Sequence, residues 1–129
     1  MDVYNTPGAF SWSELMTTDP AAAGKFYNAV FGWNLKTLDL PSGPYTTCQV
    51  GEVSVGGIMR IPPEAAGMAP HWGCYVTVAN VEETMRKVEA AGGKVLTPPM
   101  DIPNVGRMAV IQDPQGAALC IIKYAMPAG

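Results

Sequence analysis

Apolar and polar positions along the chain switch between two periods, and the switches come in the same order twice. Phe10–Asp19 alternates like a strand and runs into a helix start. Asp19 is placed to cap, and Pro20 suits the first helical position, where its missing N–H would be unpaired anyway. Ala23, Phe26, Tyr27 and Val30 then recur at i, i+3, i+4 and i+7, one face of a helix that Gly32 can stop. Three strand-like runs follow, Trp33–Leu38, Tyr45–Val50 and Val53–Met59, parted by turns at Ser42–Pro44 and Gly51–Glu52.

The plan then repeats. His71–Val78 reads as a strand. Asn80 caps a helix, and Glu83 three residues on completes a capping-box-like pair. Val81, Met85 and Val88 form the apolar stripe, and Gly92–Gly93 end it. The runs Lys94–Thr97, Arg107–Gln112 and Ala117–Tyr124 follow. Asp113–Gly116 is a turn with Pro at i+1 and Gly at i+3. The pattern predicts a single α+β domain over 1–129, built from tandem βαβββ modules. The first module is placed at 8–60, a Pro- and Ala-rich linker at 61–70 and the second module at 71–124. Pro98–Gly106 reads as a long loop and a candidate lid. Two such half-sheet modules can curl around a shared cleft.

Composition narrows the picture. The chain has 129 residues, 48% apolar and only 15% charged, which fits one compact core. A net charge of -3 disfavours nucleic acid or an anionic membrane as partner, because both need a basic face. The apolar runs fall far short of the ~20 residues of a membrane span, and no signal peptide is visible. Cys48, Cys74 and Cys120 lie far apart with no C-x-x-C spacing, which predicts reduced thiols in a cytoplasmic protein. There is no G-x-S-x-G elbow, P-loop, post-strand G-x-G-x-x-G or H-E-x-x-H.

Four stretches carry a family likeness: "ELMTTDPAAAGKFYNAVFGW", "VGGIM", "YVTVANVEETMRKVEAAGGKV" and "PPMDIPNVGRMAVIQDPQGAALCII". In this order and spacing the chain resembles the vicinal oxygen chelate superfamily over about Gly8 to Tyr124. This is the glyoxalase I, bleomycin-resistance and extradiol-dioxygenase group. It looks most like small bacterial glyoxalase-like proteins that begin W-x-E-L-M-T-x-D. The resemblance implies a curved, cleft-enclosing mixed sheet, the glyoxalase/bleomycin resistance/dihydroxybiphenyl dioxygenase fold, and a homodimer. In metal-using members, His, Glu or Gln from strand 1, strand 4, strand 5 and the last strand hold a divalent ion. That ion acts as a Lewis acid on two adjacent substrate oxygens. Carried onto this chain, the positions fall on Trp12, Gly73 and Cys120, and Val53–Met59 offers no His, Asp, Glu or Gln. The expectation is therefore no metal and no cofactor.

Alternation along the strands then predicts what faces the cleft. Trp12, Glu14, Met59, Tyr75 and Cys120 form an apolar, aromatic floor, with His71 at one end. Bleomycin-resistance members use metal-free clefts of this kind to sequester a ligand. Glu14 is the sharpest candidate for acid or base chemistry, because a carboxylate among Trp, Leu and Met is unusual. The alternative is that it pairs with Arg107 or Arg60, or meets water at the strand mouth. Trp12 is either a stacking wall for a flat ligand or a plug. Arg107 either binds a ligand carboxylate or is an exposed loop residue. Cys120 reads as a small filler, and His71 as a half-exposed residue at the linker end, without partners for a metal site.

The function expected is binding of a small organic molecule in this cleft without the family's ion. One alternative is a metal-independent lyase, isomerase or hydroxylase that uses Glu14. Another is a non-catalytic dimeric interaction module whose cleft Trp12 plugs.

Overall fold

The computed structural model describes residues 1–41, 43–63, 67–102 and 105–125. Its elements follow the predicted order: β1 (Phe10–Thr17), α1 (Pro20–Phe31), β2 (Asn34–Leu40), β3 (Gly43–Val50), β4 (Val53–Arg60), β5 (His71–Thr77), α2 (Val81–Ala90), β6 (Lys94–Ile102), β7 (Gly106–Gln112) and β8 (Ala118–Tyr124). Parts of the predicted turn at Ser42–Pro44, of the linker and of the loop before β7 lie outside the described residues.

The chain divides into two compact units, Trp12–Gly73 and Met1–Ser11 with Cys74–Gly129. Within the first, the strand order is β2-β3-β4-β1; within the second it is β6-β7-β8-β5, the same order with each strand replaced by its counterpart. In each unit the first strand runs parallel to the last, and the other pairings are antiparallel. The tandem βαβββ fold read from the sequence is the fold of the chain. The N-terminal segment belongs with the second unit, which the sequence did not announce. Gly8 N–H donates to Thr77 O (2.8 Å), Thr77 N–H to Ala9 O (2.9 Å) and the Thr77 hydroxyl to Val3 O (2.6 Å).

Helix starts and stops behave as their residues dictate. Asp19 Oδ1 accepts from Ala22 N–H at 3.1 Å, and Asn80 Oδ1 accepts from Glu83 N–H at 2.8 Å, so each cap satisfies one orphan donor. Gly32 closes α1 at φ 73°, a left-handed conformation that costs a residue with a Cβ. The first core gathers Leu15, Cys48 and Ile58, with Ala23, Tyr27 and Trp33 packed against them. The second gathers Val81, Ala109 and Ile121, with Val78, Met85 and Ile111. Ala23 and Tyr27 of the predicted α1 stripe thus face the core, while Phe26 and Val30 stay exposed.

One predicted loop is largely strand. β6 continues through Pro98 and Pro99 to Ile102 and pairs with β7 as far as Ile102↔Gly106. Its register shifts between Val95 and Thr97 and again between Thr97 and Met100. β6 ends the strand order, where a proline need not donate to a neighbour and bulges are tolerated. Two prolines in an edge strand look like a loop in a sequence. Among the described residues, no helix is long and apolar enough to cross a membrane.

Candidate functional site

β1 presents two faces. Leu15 packs toward α1, so Trp12, Glu14 and Met16 lie on the opposite side of the sheet. β4 runs parallel beside it, in the register Glu14↔Gly57 and Met16↔Met59. β3 lies on the far side of β4, with Thr47 opposite Gly57. From β3, Tyr45 reaches back across β4 to β1. Its hydroxyl donates to Glu14 Oε2 at 2.8 Å and accepts from Trp12 Nε1–H at 2.9 Å.

The reach depends on Gly57. A Cβ built there would lie 1.8 Å from the Tyr45 hydroxyl oxygen and 2.3 Å from Cζ. Glycine inside a strand commonly marks such a close approach. Glu14 is only 6% exposed, so its carboxylate must be held by hydrogen bonds to be tolerated there. Burial first, and the Glu14 carboxylate second, push the Tyr45 phenol far above its ordinary range, so it stays protonated and acts as a donor.

Two of the predicted residues, Trp12 and Glu14, are therefore joined through a third, Tyr45, that the sequence analysis left as an ordinary strand residue. The available signal was "VGGIM": two adjacent glycines in a strand, where side chains should pack. Met59 is half-buried on the same face as Met16. In the second unit, Tyr75 is buried and pairs with Cys120 in parallel register. Ile121 packs on α2, so Tyr75 and Cys120 lie on the sheet face away from that helix.

His71 opens β5, is exposed, and has Nδ1 2.9 Å from Ala69 O. Arg107 lies on the α2 side of β7, where it donates to Glu82 Oε1 from Nε and to Asp101 Oδ2 from Nη1 at 3.0 Å. Its hydrogen bond holds the Glu82 carboxyl below the usual carboxylate range. Arg60 donates to Thr18 O at 3.2 Å.

Two of the residues onto which the resemblance carries the ion's ligands, Trp12 and Gly73, bring no side-chain atom that suits an ion. The Trp12 indole offers only a donor, and that donor is engaged by Tyr45. Gly73 offers no side chain, although a Cβ there would meet nothing nearer than Glu14 O at 3.9 Å. On β4, the space above Gly57 is taken by the Tyr45 hydroxyl. Among the described residues, no three His, Cys, Asp or Glu side chains converge as a ligand set.

A second feature lies on the helix side of the first unit. Tyr27, Phe31, Trp33 and Trp72 pack ring on ring, with centroids 5.0 to 6.2 Å apart, and Trp72 Nε1 donates to the Tyr27 hydroxyl at 3.1 Å. They border an open groove of about 410 Å³ lined by Ser13, Phe31, Trp33, Val55, Gly56 and Trp72. Phe31 is more than half exposed, as are Phe26 and Val30 on the same helix.

Comparison with known proteins places the chain in a family. Residues 9–121 match the model of the Glyoxalase/Bleomycin resistance protein/Dioxygenase superfamily. The chain is 40% identical over 124 residues to "Putative glyoxylase CFP32" of Mycobacterium bovis, covering 95% of this chain and 47% of that protein. It is 34% identical over 128 residues to "Anthracycline biosynthesis protein DnrV" of Streptomyces peucetius, covering 89% and 46%. This chain thus spans about half the length of both relatives. A variant of methylmalonyl-CoA epimerase from Streptomyces coelicolor, solved with 2-nitronate-propionyl-CoA, shares the fold at a TM-score of 0.64 and 14% identity, covering 96% of this chain and 99% of that one. The chain belongs to the Glyoxalase/Bleomycin resistance protein/Dioxygenase superfamily.

Proposed function

We propose that this protein binds a small organic molecule on the sheet face carrying Trp12, Glu14 and Tyr45, without the divalent ion of metal-using family members. The observation that carries this reading is the side-chain chain Trp12–Tyr45–Glu14 seated over Gly57, on the sheet face that holds Trp12, the residue onto which the resemblance carries the ion's strand-1 ligand. A half-buried indole, two methionines and one buried carboxylate make a mostly apolar surface with few polar groups, the usual composition of a small-molecule site. The relatives point the same way: one is named for anthracycline biosynthesis, and a fold neighbour was solved with an acyl-CoA analogue. A flat, largely apolar ligand that stacks on Trp12 is the class we favour. Met59, on the same face of the same unit, stays in the reading as a further candidate contact, whereas Arg107 is held on the α2 side of β7 by Glu82 and Asp101.

A second reading has a specific observation behind it. Glu14 is buried and held by a hydroxyl donor, which is also the setting of an acid or base in metal-independent isomerase, lyase or hydroxylase chemistry. We also propose a homodimer, on the ground that Phe26, Val30, Phe31 and Trp72 are exposed apolar side chains.

The test is metal analysis of the purified protein together with quenching of its tryptophan fluorescence by an anthracycline. Sub-stoichiometric metal and saturable quenching that weakens in Trp12→Ala support the reading. Stoichiometric bound Ni, Zn, Fe or Mn overturns its metal-free part. Quenching unchanged by Trp12→Ala overturns its placement on this face.

A further inference from the structure

We propose that Trp12, Tyr45 and Glu14 form a one-way hydrogen-bond relay in which Tyr45 is the positioning residue. It fixes the Glu14 carboxylate as the acceptor for an O–H or N–H group on a neutral ligand. This rests on the ligand-binding reading above for its ligand, but not for the relay itself.

The direction of the relay follows from chemistry. An indole N–H can donate and cannot accept, so Trp12 must occupy a lone pair of the Tyr45 oxygen. A phenol has one proton, and Tyr45 places it on Glu14 Oε2. The sequence of donors is then Trp12 to Tyr45 to Glu14, with no second arrangement open to it. Each link polarises the next, because a hydroxyl that accepts a hydrogen bond becomes a stronger donor. A carboxylate has about four lone-pair sites, so it can accept from more than one donor at once.

Gly57 makes the relay possible. Glu14 and Gly57 are register partners on β1 and β4, and the Tyr45 ring crosses β4 at that point. Any larger residue at 57 would push the hydroxyl off both partners, since the 1.8 Å approach leaves no room for a Cβ. The geometry thus assigns specificity as well as position. An ion selects ligands with two adjacent oxygens, whereas an oriented carboxylate selects a ligand with one hydrogen-bond donor beside apolar surface. A phenolic hydroxyl is the simplest such group.

Two measurements separate the relay from its ligand. The first follows the Trp12 indole N–H resonance by 15N NMR. Glu14→Gln is expected to shift it in the otherwise native protein and to leave it unmoved in a Tyr45→Phe background, because the relay runs through the Tyr45 hydroxyl. Gly57→Ala, which displaces the hydroxyl without removing it, should reproduce the Tyr45→Phe spectrum at Trp12. That second variant also keeps the test open if Tyr45→Phe folds poorly. A Trp12 shift that survives in the Tyr45→Phe background overturns the relay.

The second measurement is the affinity for phenol. Tyr45→Phe and Glu14→Gln should each weaken binding by about tenfold, the size of one hydrogen bond to a charged group, and the double variant by no more than either alone. Rescue is expected from no variant that lacks the hydroxyl. Additive losses overturn the positioning role. Absence of phenol binding alongside an intact NMR coupling overturns the ligand class and upholds the relay.

Discussion

Tyr45 carries consequences beyond the ligand. Burial and the nearby Glu14 carboxylate disfavour its phenolate, so its proton is held more tightly in the folded chain than in the unfolded one. Below a pH of about 10 both states keep that proton and the effect on stability is nil. Above it the unfolded chain releases the proton while the folded chain does not. Unfolding then loses protons, and stability falls as pH rises. Denaturation curves between pH 8 and about 11 should show this loss, and Tyr45→Phe should flatten part of it. Tyr124, also raised chiefly by burial, accounts for some of the remainder. Cysteine reactivity is decided by the same physics. Cys48 is fully buried, and burial raises its thiol, whereas Cys74 is exposed. Titration with a thiol-reactive disulfide in native buffer should modify Cys74 and leave Cys48 until the protein is unfolded.

At the scale of elements, the caps and the cores do separable work. Asn80 satisfies the N–H of Glu83, and its own carbonyl accepts from the Thr84 hydroxyl at 2.8 Å. Asn80→Ala keeps the carbonyl and removes the side-chain cap, so it should cost about 1 kcal/mol in urea denaturation. Ile58 is 0% exposed and links β4 to α1 through Leu15 and Tyr27. Ile58→Ala should cost about 2–5 kcal/mol by the same measurement, because the site cannot collapse fully around the lost atoms. Arg107 makes its ion pairs at the surface, with 39% of its side chain exposed, so Arg107→Ala should change stability little. It should instead loosen β6 against β7, read as faster amide exchange near Asp101.

For the molecule as a whole, the exposed ring cluster is the feature that a lone domain explains least. Phe31 is 60% exposed and borders the groove with Trp33 and Trp72. If this face joins two copies, Phe31→Lys should turn a dimer into a monomer in light scattering at unchanged helix content. A dimer that survives the change would locate the contact elsewhere. Cap residues, glycine stops and the 3.6 and 2.0 periods made the repeated βαβββ plan legible, because those signals are local. The edge strand β6 was not legible, since two prolines look alike in a loop and at a sheet edge. Half of the α1 stripe also proved exposed, because period alone does not say how wide a face the neighbouring strands will cover.

The candidate site divides along the same line. Strand alternation alone put Trp12 and Glu14 on one face. Neither period nor spacing pointed to Tyr45, which lies 31 residues from Glu14 along the chain and two strands away. What brought it there is the register of three strands and the missing side chain of Gly57. A sequence by itself determines which atoms are available and which local conformations they favour. Which distant donor meets which acceptor was decided only when β1, β4 and β3 aligned, because hydrogen bonds require approach within about 3 Å.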